Sequence, residues 1–310
     1  MDEIIQKIIK KELGEDALKI IRMTMGICNE VYQVDLSSKK VIIRLNKDAS
    51  KMSGSQQHLE LFHSLGIKVQ EIIAFDYSKT STPYAYQIRS YLEGEDLDRV
   101  IADLSEKELK GIAEEISRII KKLKPLPTNG KYGWVGENED NLYDSWVQII
   151  EKMIREVNER NEKHGVVGEE YIELMQNLLG KHLHYFKNMP STFYYDDMSS
   201  KNVLIHEGRF AGLVDLDEIA YGDPLEGVGR ILASWYGTAY GKVYSEAVMD
   251  SLDLDDKERE MVKVYALLNR IFWLSESGVE FNQNTSSEID WENVKDNRRI
   301  IDDIKESLAV

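Results

Sequence analysis

Cysteine occurs once in the 310 residues, at position 28. One thiol cannot close an internal disulfide, which fits a reducing compartment and excludes a disulfide-stapled scaffold. With no evident catalytic partner, Cys28 reads as a small packed residue. Basic residues are in deficit, 39 Lys plus Arg against 55 Asp plus Glu, for a formal net charge of −16. That balance excludes nucleic acid as the main partner, because phosphate backbones need a basic surface. It suits an enzyme, or a site that holds a cation. Long apolar runs are missing as well. The most apolar stretch, 262–274, contains Lys263, Asn269 and Arg270, too polar and too short to span a bilayer, so no membrane partner is expected. The first residues, Met1-Asp2-Glu3-Ile4-Ile5, lack the basic-then-apolar layout of a signal peptide, and a cytoplasmic location is expected. There is no repeat and no low-complexity tract.

What is present is ordinary core-forming material, 42% hydrophobic and 30% charged, enough for one large or two modest domains. Residues 1–12 space apolar groups helically. Segments 18–27, 29–35 and 40–46 are short and β-leaning, and Leu59, Phe62 and Leu65 mark a helix face that stops at Gly66. Strand-like runs follow at 68–76 and 84–92. From Ser105, which with Glu108 forms a capping box, the pattern is helical to about Leu123. Pro125 and Pro127 break it, and long amphipathic helices are expected over 142–163 and 168–188. A β-like island occupies 203–215, and the chain after Pro224 reads as helical. The expected architecture is α+β with two lobes. Residues 1–93 would form a small antiparallel sheet with a helix, and 94–310 a larger helical lobe carrying a hairpin.

The informative stretch runs from Tyr194 to Asp215. Val203–His206 and Phe210–Val214 are β-formers around Glu207-Gly208, where a tight turn is needed. With a two-residue loop His206 pairs with Arg209, Asn202 lies opposite Leu213, and Asp215 comes one same-face step later; a bulge shifts this by one residue. Either way an amide oxygen and a carboxylate meet at the open end of the hairpin. That pair suits a hard cation that prefers oxygen, usually Mg²⁺. Asp197, just upstream, is placed to accept a proton from an attacking hydroxyl.

These residues resemble the aminoglycoside phosphotransferase-like small-molecule kinases, distant relatives of protein kinases. The family pattern H-G-D-x-x-x-x-N, a hairpin, then I-D-x-x-x-x-x-x-D-P appears here as Tyr195-Asp196-Asp197 to Asn202, then Val214-Asp215 to Asp223-Pro224. The resemblance implies a protein-kinase-like fold, Asp197 as catalytic base, Asn202 and Asp215 as magnesium ligands, and ATP or GTP as phosphoryl donor. Met25-Gly26-Ile27 resembles the glycine turn over the nucleotide, and Val41-Ile42-Ile43-Arg44-Leu45 the strand whose cation touches its phosphates. Tyr91-Leu92-Glu93-Gly94 resembles the connecting strand that holds the base. Asp217 and Glu218 either line an acceptor pocket or stand exposed. Asp223 reads as a helix cap, with Pro224 in the first turn.

Three departures mark this chain. Tyr195 replaces His, Asp196 replaces Gly, and no helix Glu clearly matches the partner of Arg44; Gln57 and Glu60 are the nearby candidates. Ser199 stands where protein kinases carry Lys, and no D-F-G or A-P-E segment follows, so the acceptor is expected to be a small molecule. The acids in the site suggest a cationic one. The alternative is a nucleotide-binding module without turnover. Trp235, Phe272 and Trp273 read as core residues, and Asp253, Asp255 and Asp256 as a helix cap.

Overall fold

In a computed structural model, which describes residues 1–24, 28–281 and 284–308, the chain begins with helix α1 (Asp2–Leu13) and strands β1 (Lys19–Met23), β2 (Glu30–Asp35) and β3 (Lys40–Asn46). Helix α2 (Ser55–Ser64), β4 (Ile72–Asp76) and β5 (Ala85–Ser90) follow. The strands form one antiparallel sheet in the order β1-β2-β3-β5-β4. Alternation gives it two faces. On one, Val41, Ile43 and Leu45 bury against Ile5, Ile8 and Ile9 of α1, each worth roughly 1.5–3 kcal/mol of burial. The register pairs Val31 with Arg44 and Arg44 with Gln87, then Gln33 with Ile42 and Ile42 with Arg89. Those residues therefore share the opposite face. The sheet thus has a dry side toward α1 and a side carrying two arginines.

The rest of the chain is mostly helical. A short β6 (Glu95–Asp96) leads to α3 (Leu97–Val100) and α4 (Glu106–Leu123); both bonds of the Ser105–Glu108 capping box are formed. Then come β7 (Gly133–Val135), α5 (Trp146–His164), α6 (Glu169–Lys181), α7 (Leu183–Asn188) and β8 (Thr192–Tyr194). The helix expected over 168–188 is therefore two, with the break at His182. The hairpin is β9 (Val203–His206) and β10 (Arg209–Leu213), followed by β11 (Ile219–Gly222), α8 (Pro224–Ser234), α9 (Ala239–Ser251), α10 (Asp256–Ser275) and α11 (Trp291–Ser307). Strand β11 pairs with β7 and β8, a small sheet that sequence reading did not anticipate. Asp255 caps α10 with Glu258 in a capping box, and Asp223 caps α8 at Leu225 N with Pro224 in the first turn, both as expected. No helix among the described residues is long and apolar enough to cross a membrane.

Candidate active site

The hairpin starts as expected, Arg209 opposite His206 and Phe210 opposite Ile205, and then shifts at a bulge, so Gly212 meets Leu204. The consequence is that Asn202 lies beside Val214, whose N–H donates to the Asn202 carbonyl at 3.0 Å. Gly212 is needed there: a Cβ would come within 2.8 Å of Leu92 Cδ1 and 3.0 Å of the Lys68 carbonyl oxygen. The neighbouring Leu213 N–H donates to that Lys68 carbonyl at 2.9 Å, tying the hairpin to the segment leading into β4. Asp215 follows with φ 62°, a left-handed conformation that costs a non-glycine residue of order 1–3 kcal/mol and is found where geometry matters.

Tyr195, at the His position of the pattern this stretch resembles, is 1% exposed. Its hydroxyl faces the Val214 carbonyl at 3.2 Å and the Asp215 carbonyl at 3.0 Å, donating its proton to this pair. The phenol thus braces the loop bearing Asp197 against the strand end bearing Asp215. Tyr195→Phe is expected to cost about 1 kcal/mol or somewhat more by leaving two half-buried carbonyls without that donor. Chemical unfolding measures it, and an unchanged midpoint would show that the hydroxyl bears no load.

A cavity of about 350 Å³ lies between the sheet and the hairpin. Its apolar walls include Val31, Ile42 and Leu204, Tyr91 and Leu92 border it, and Arg44, Lys201, Asn202 and Asp215 stand at its polar end. Gly26 lies outside the described residues. Cys28 lines this cavity and is exposed: the expectation of a packed thiol is corrected, because the residue precedes β2 at the open mouth rather than within the sheet. Arg44 is 4% exposed and meets neither Gln57 nor Glu60. Gln57 donates to the Gly136 and Glu137 carbonyls, and Glu60 is exposed. Instead Arg44 donates to both oxygens of Asp217 at 2.6 Å and to Asp215 Oδ1 at 2.7 Å. Asp217 also accepts from Arg89 at 3.2 Å and Asn29 at 2.9 Å. Burial works to raise the Asp217 carboxyl, but Arg44 and then Arg89 outweigh it and hold it well below the usual carboxylate range. Burial first, then Arg44, pushes Arg89 down to about 10. Asp217 therefore faces the sheet's arginines and is not a lining residue of the second cavity described below.

Asp197 sits across the hairpin mouth from this cluster. It accepts from Asn202 Nδ2 at 2.5 Å, lies 3.9 Å from Arg230 Nη1, and keeps a third of its side chain open, at 34%. Burial raises its carboxyl above the ordinary value, with Arg230 and Lys201 pulling it back. Arg230 belongs to a second cavity of about 620 Å³. Glu218 lines it with Glu137, Asp140 and Glu156, while Trp134, Tyr143 and Phe272 supply aromatic surface and Lys152 is the other cation. Glu218 is itself exposed at the cavity's edge, and its partial desolvation there raises its carboxyl. Phe272, expected in the core, is half-buried and lines this cavity, whereas Trp235 is buried as expected. Asp197 thus touches one residue of each cavity, Asn202 on the first side and Arg230 on the second.

The donor set at the first cavity can be tested against a metal. Among the described residues no group of three or more His, Cys, Asp or Glu side chains could hold an ion. Magnesium bound together with nucleotide phosphates needs only one or two protein oxygens and keeps several waters. Asp215 spends Oδ1 on Arg44 yet remains 37% exposed, and Asn202 uses its amide nitrogen toward Asp197, which leaves its oxygen as the ligand atom. The residues present fit such an ion.

A search of curated proteins finds no match to this sequence. Solved structures share the whole fold. A thermostable mutant of aminoglycoside phosphotransferase APH(4)-Ia superposes with TM-score 0.72 at 17% identity, covering 97% of this chain and 98% of that one. The gentamicin complex of APH(2'')-IIa gives TM-score 0.65 at 14% identity over 97% and 96% of the two chains. A putative fructosamine-3-kinase from Haemophilus somnus 129PT gives 0.62 at 14% over 97% and 96%. The fold is thus the two-lobed, kinase-like one expected from the sequence. The model of the phosphotransferase enzyme family matches residues 19–261, a span that holds the sheet, Arg44, both cavities' central residues and the bulged hairpin. The chain belongs to the phosphotransferase enzyme family, and with it to the small-molecule kinases.

Proposed function

We propose that the protein transfers the γ-phosphoryl group of ATP, with magnesium, to a hydroxyl of a small amine-bearing molecule. The observation that carries this reading is Asp197, held between two cavities by one partner from each. The first cavity has apolar walls beside Tyr91 and Leu92, suited to a purine whose edge hydrogen-bonds the backbone there. Arg44 would neutralise phosphate charge, and Asn202 and Asp215 would hold the magnesium. Magnesium bound there supplies charge neutralisation across the terminal phosphates. Structures of relatives bound to AMP-PNP and to ADP support ATP as donor, and GTP is the competitor to test.

The acceptor hydroxyl would lie in the second cavity, against Asp197. Asp197 takes its proton as the hydroxyl oxygen forms a bond to the γ-phosphorus. The bond from that phosphorus to the β–γ bridging oxygen breaks, and the nucleoside diphosphate leaves. Acid outweighs base around the acceptor: Glu137, Asp140, Glu156 and Glu218 against Lys152 and Arg230, with Lys152 itself paired to Glu156 at 2.7 Å. An ammonium group answers that imbalance. Glu218 is our candidate for its partner. For Asp217 we propose a different part from the acceptor contact weighed on sequence: it fixes Arg44.

The test is a panel of acceptors, including hygromycin B, gentamicin, an amino alcohol and neutral sugars, scored for ADP and GDP release with ATP or GTP. An amine-bearing acceptor should stimulate release with ATP, and Glu218→Gln should raise its KM. Stimulation by neutral sugars alone would sink the amine assignment, and preference for GTP would overturn the choice of donor.

A further inference from the structure

Asp196 poses a problem that the phosphotransfer reading leaves unsolved. It places a second carboxylate directly beside Asp197, where the family pattern has glycine, and it is 6% exposed. A buried carboxylate next to another is unfavourable unless a cation and hydrogen bonds compensate it. Two groups meet it. Trp134 of β7 donates its indole N–H to Asp196 Oδ2 at 2.9 Å, and Arg230 of α8 pairs with the same oxygen through Nη2 at 3.2 Å. The guanidinium is anchored behind: its Nε donates at 2.8 Å to Glu226, one turn earlier on α8. Glu226 is itself 3% exposed and bonded by Asn269 of α10 and Tyr194 of β8. The remaining nitrogen, Nη1, is the one 3.9 Å from Asp197. A planar fork with several fixed donors can span such a set of acids, and a lysine cannot.

We propose that Arg230 is the positioning residue of the catalytic loop. By neutralising Asp196 it lets this chain carry an acid in place of glycine, and from Asp196 it orients Asp197 and Trp134 at the acceptor cavity. The inference rests on the phosphotransfer reading for its effect on rate. Its structural part, the coupling of Arg230 to Asp196, stands apart from that reading. Because Arg230 also serves Glu226, a loss on removing Arg230 alone would be ambiguous, so the test is a double-substitution cycle.

Arg230→Met, Arg230→Lys, Asp196→Asn and the Arg230→Met/Asp196→Asn pair are compared with the wild type. The readouts are thermal unfolding and ADP release from magnesium-ATP with water as acceptor. Arg230→Met should lower kcat by about a hundredfold, the scale of losing an electrostatic contact to the reacting centre. The KM for ATP should stay within about threefold. Adding Asp196→Asn, which removes the charge but keeps an oxygen for Trp134, should recover at least about tenfold in kcat and raise the midpoint above that of Arg230→Met alone. Arg230→Lys should fall between Met and the wild type. Strictly additive effects in both rate and midpoint would overturn the coupling. A lower midpoint with unchanged kcat in Arg230→Met would make Arg230 structural only. A wild type that releases no ADP with water or any acceptor would count against the phosphotransfer reading and with it the positioning role, while the midpoints still decide the Arg230–Asp196 coupling.

Discussion

Asp217→Ala should destabilise the protein by about 3–5 kcal/mol, the cost typical of breaking a buried charge pair by deleting one partner. Asp217 binds two arginines that lie diagonally across neighbouring strands on the same face of the sheet, 4% and 0% exposed. Without it Arg89 keeps, among the described residues, Gln87 as its one acceptor, at 2.8 Å through Nε. Arg44 keeps, among the described residues, only Asp215, a residue we assign to magnesium. Burial first, and then repulsion from Arg44, pushes Arg89 down to about 10. The loss should show in the urea midpoint and as weaker magnesium-ATP binding, because Arg44 would no longer be fixed at the phosphates. Arg89→Met in the Asp217→Ala background should recover part of the stability. If the double variant is simply the sum of the two losses, the clamp is not a coupled unit. The pH sign follows from the direction of the shift: Asp217 is held low when folded. Its contribution is therefore full above the unfolded Asp value near pH ~3.9 and is lost only as the pH falls through the lower folded value.

Asp197→Ala should reduce phosphoryl transfer by roughly 10²–10⁴-fold, the range for removing a positioned general base, while magnesium-ATP binds within a fewfold of wild type. The separation follows from geometry. Asp197 is not a lining residue of the first cavity, where we place the nucleotide, and Arg44, Asn202 and Asp215 remain when it is gone. Its carboxylate nonetheless holds the Asn202 amide at 2.5 Å, so a small change in metal affinity is expected as Asn202 relaxes. A substitution that instead abolished nucleotide binding would move Asp197 from the chemistry to the metal site. Equilibrium binding of ATP with and without magnesium distinguishes the two.

Local signals in the sequence carried most of the architecture. The capping box at Ser105, the helix cap at Asp255 and the Asp223-Pro224 corner are short-range patterns, and each element formed where its pattern lies. The hairpin was legible as well, but not its bulge, because what demands Gly212 is the approach of Leu92 and Lys68 from elsewhere in the chain. The β7-β11-β8 sheet was missed for a related reason: strands of three and four residues are too short to show a period. The motif brought Asp197, Asn202 and Asp215 to one hairpin mouth. The charge partners were beyond its reach. Arg44 meets Asp217 across 173 positions, so its partner is an acid that follows the hairpin and not Gln57 or Glu60 of α2. Arg230 carries no motif at all. The one available signal was that an Asp-Asp pair in a tight loop requires a cation, and Arg230 lies one helical turn beyond Glu226 on the helix that the Asp223-Pro224 corner opens.

The most direct measurement follows the terminal phosphate. Wild-type protein and Asp197→Ala are each given magnesium-ATP labelled at the γ position and the acceptor panel, with ATP binding measured in parallel. The account predicts label on the hydroxyl of an amine-bearing small molecule with the wild type, lost by two or more orders of magnitude in Asp197→Ala although ATP still binds. Equal labelling by both proteins, or nucleotide binding by the wild type with no labelled product from any acceptor, would contradict it.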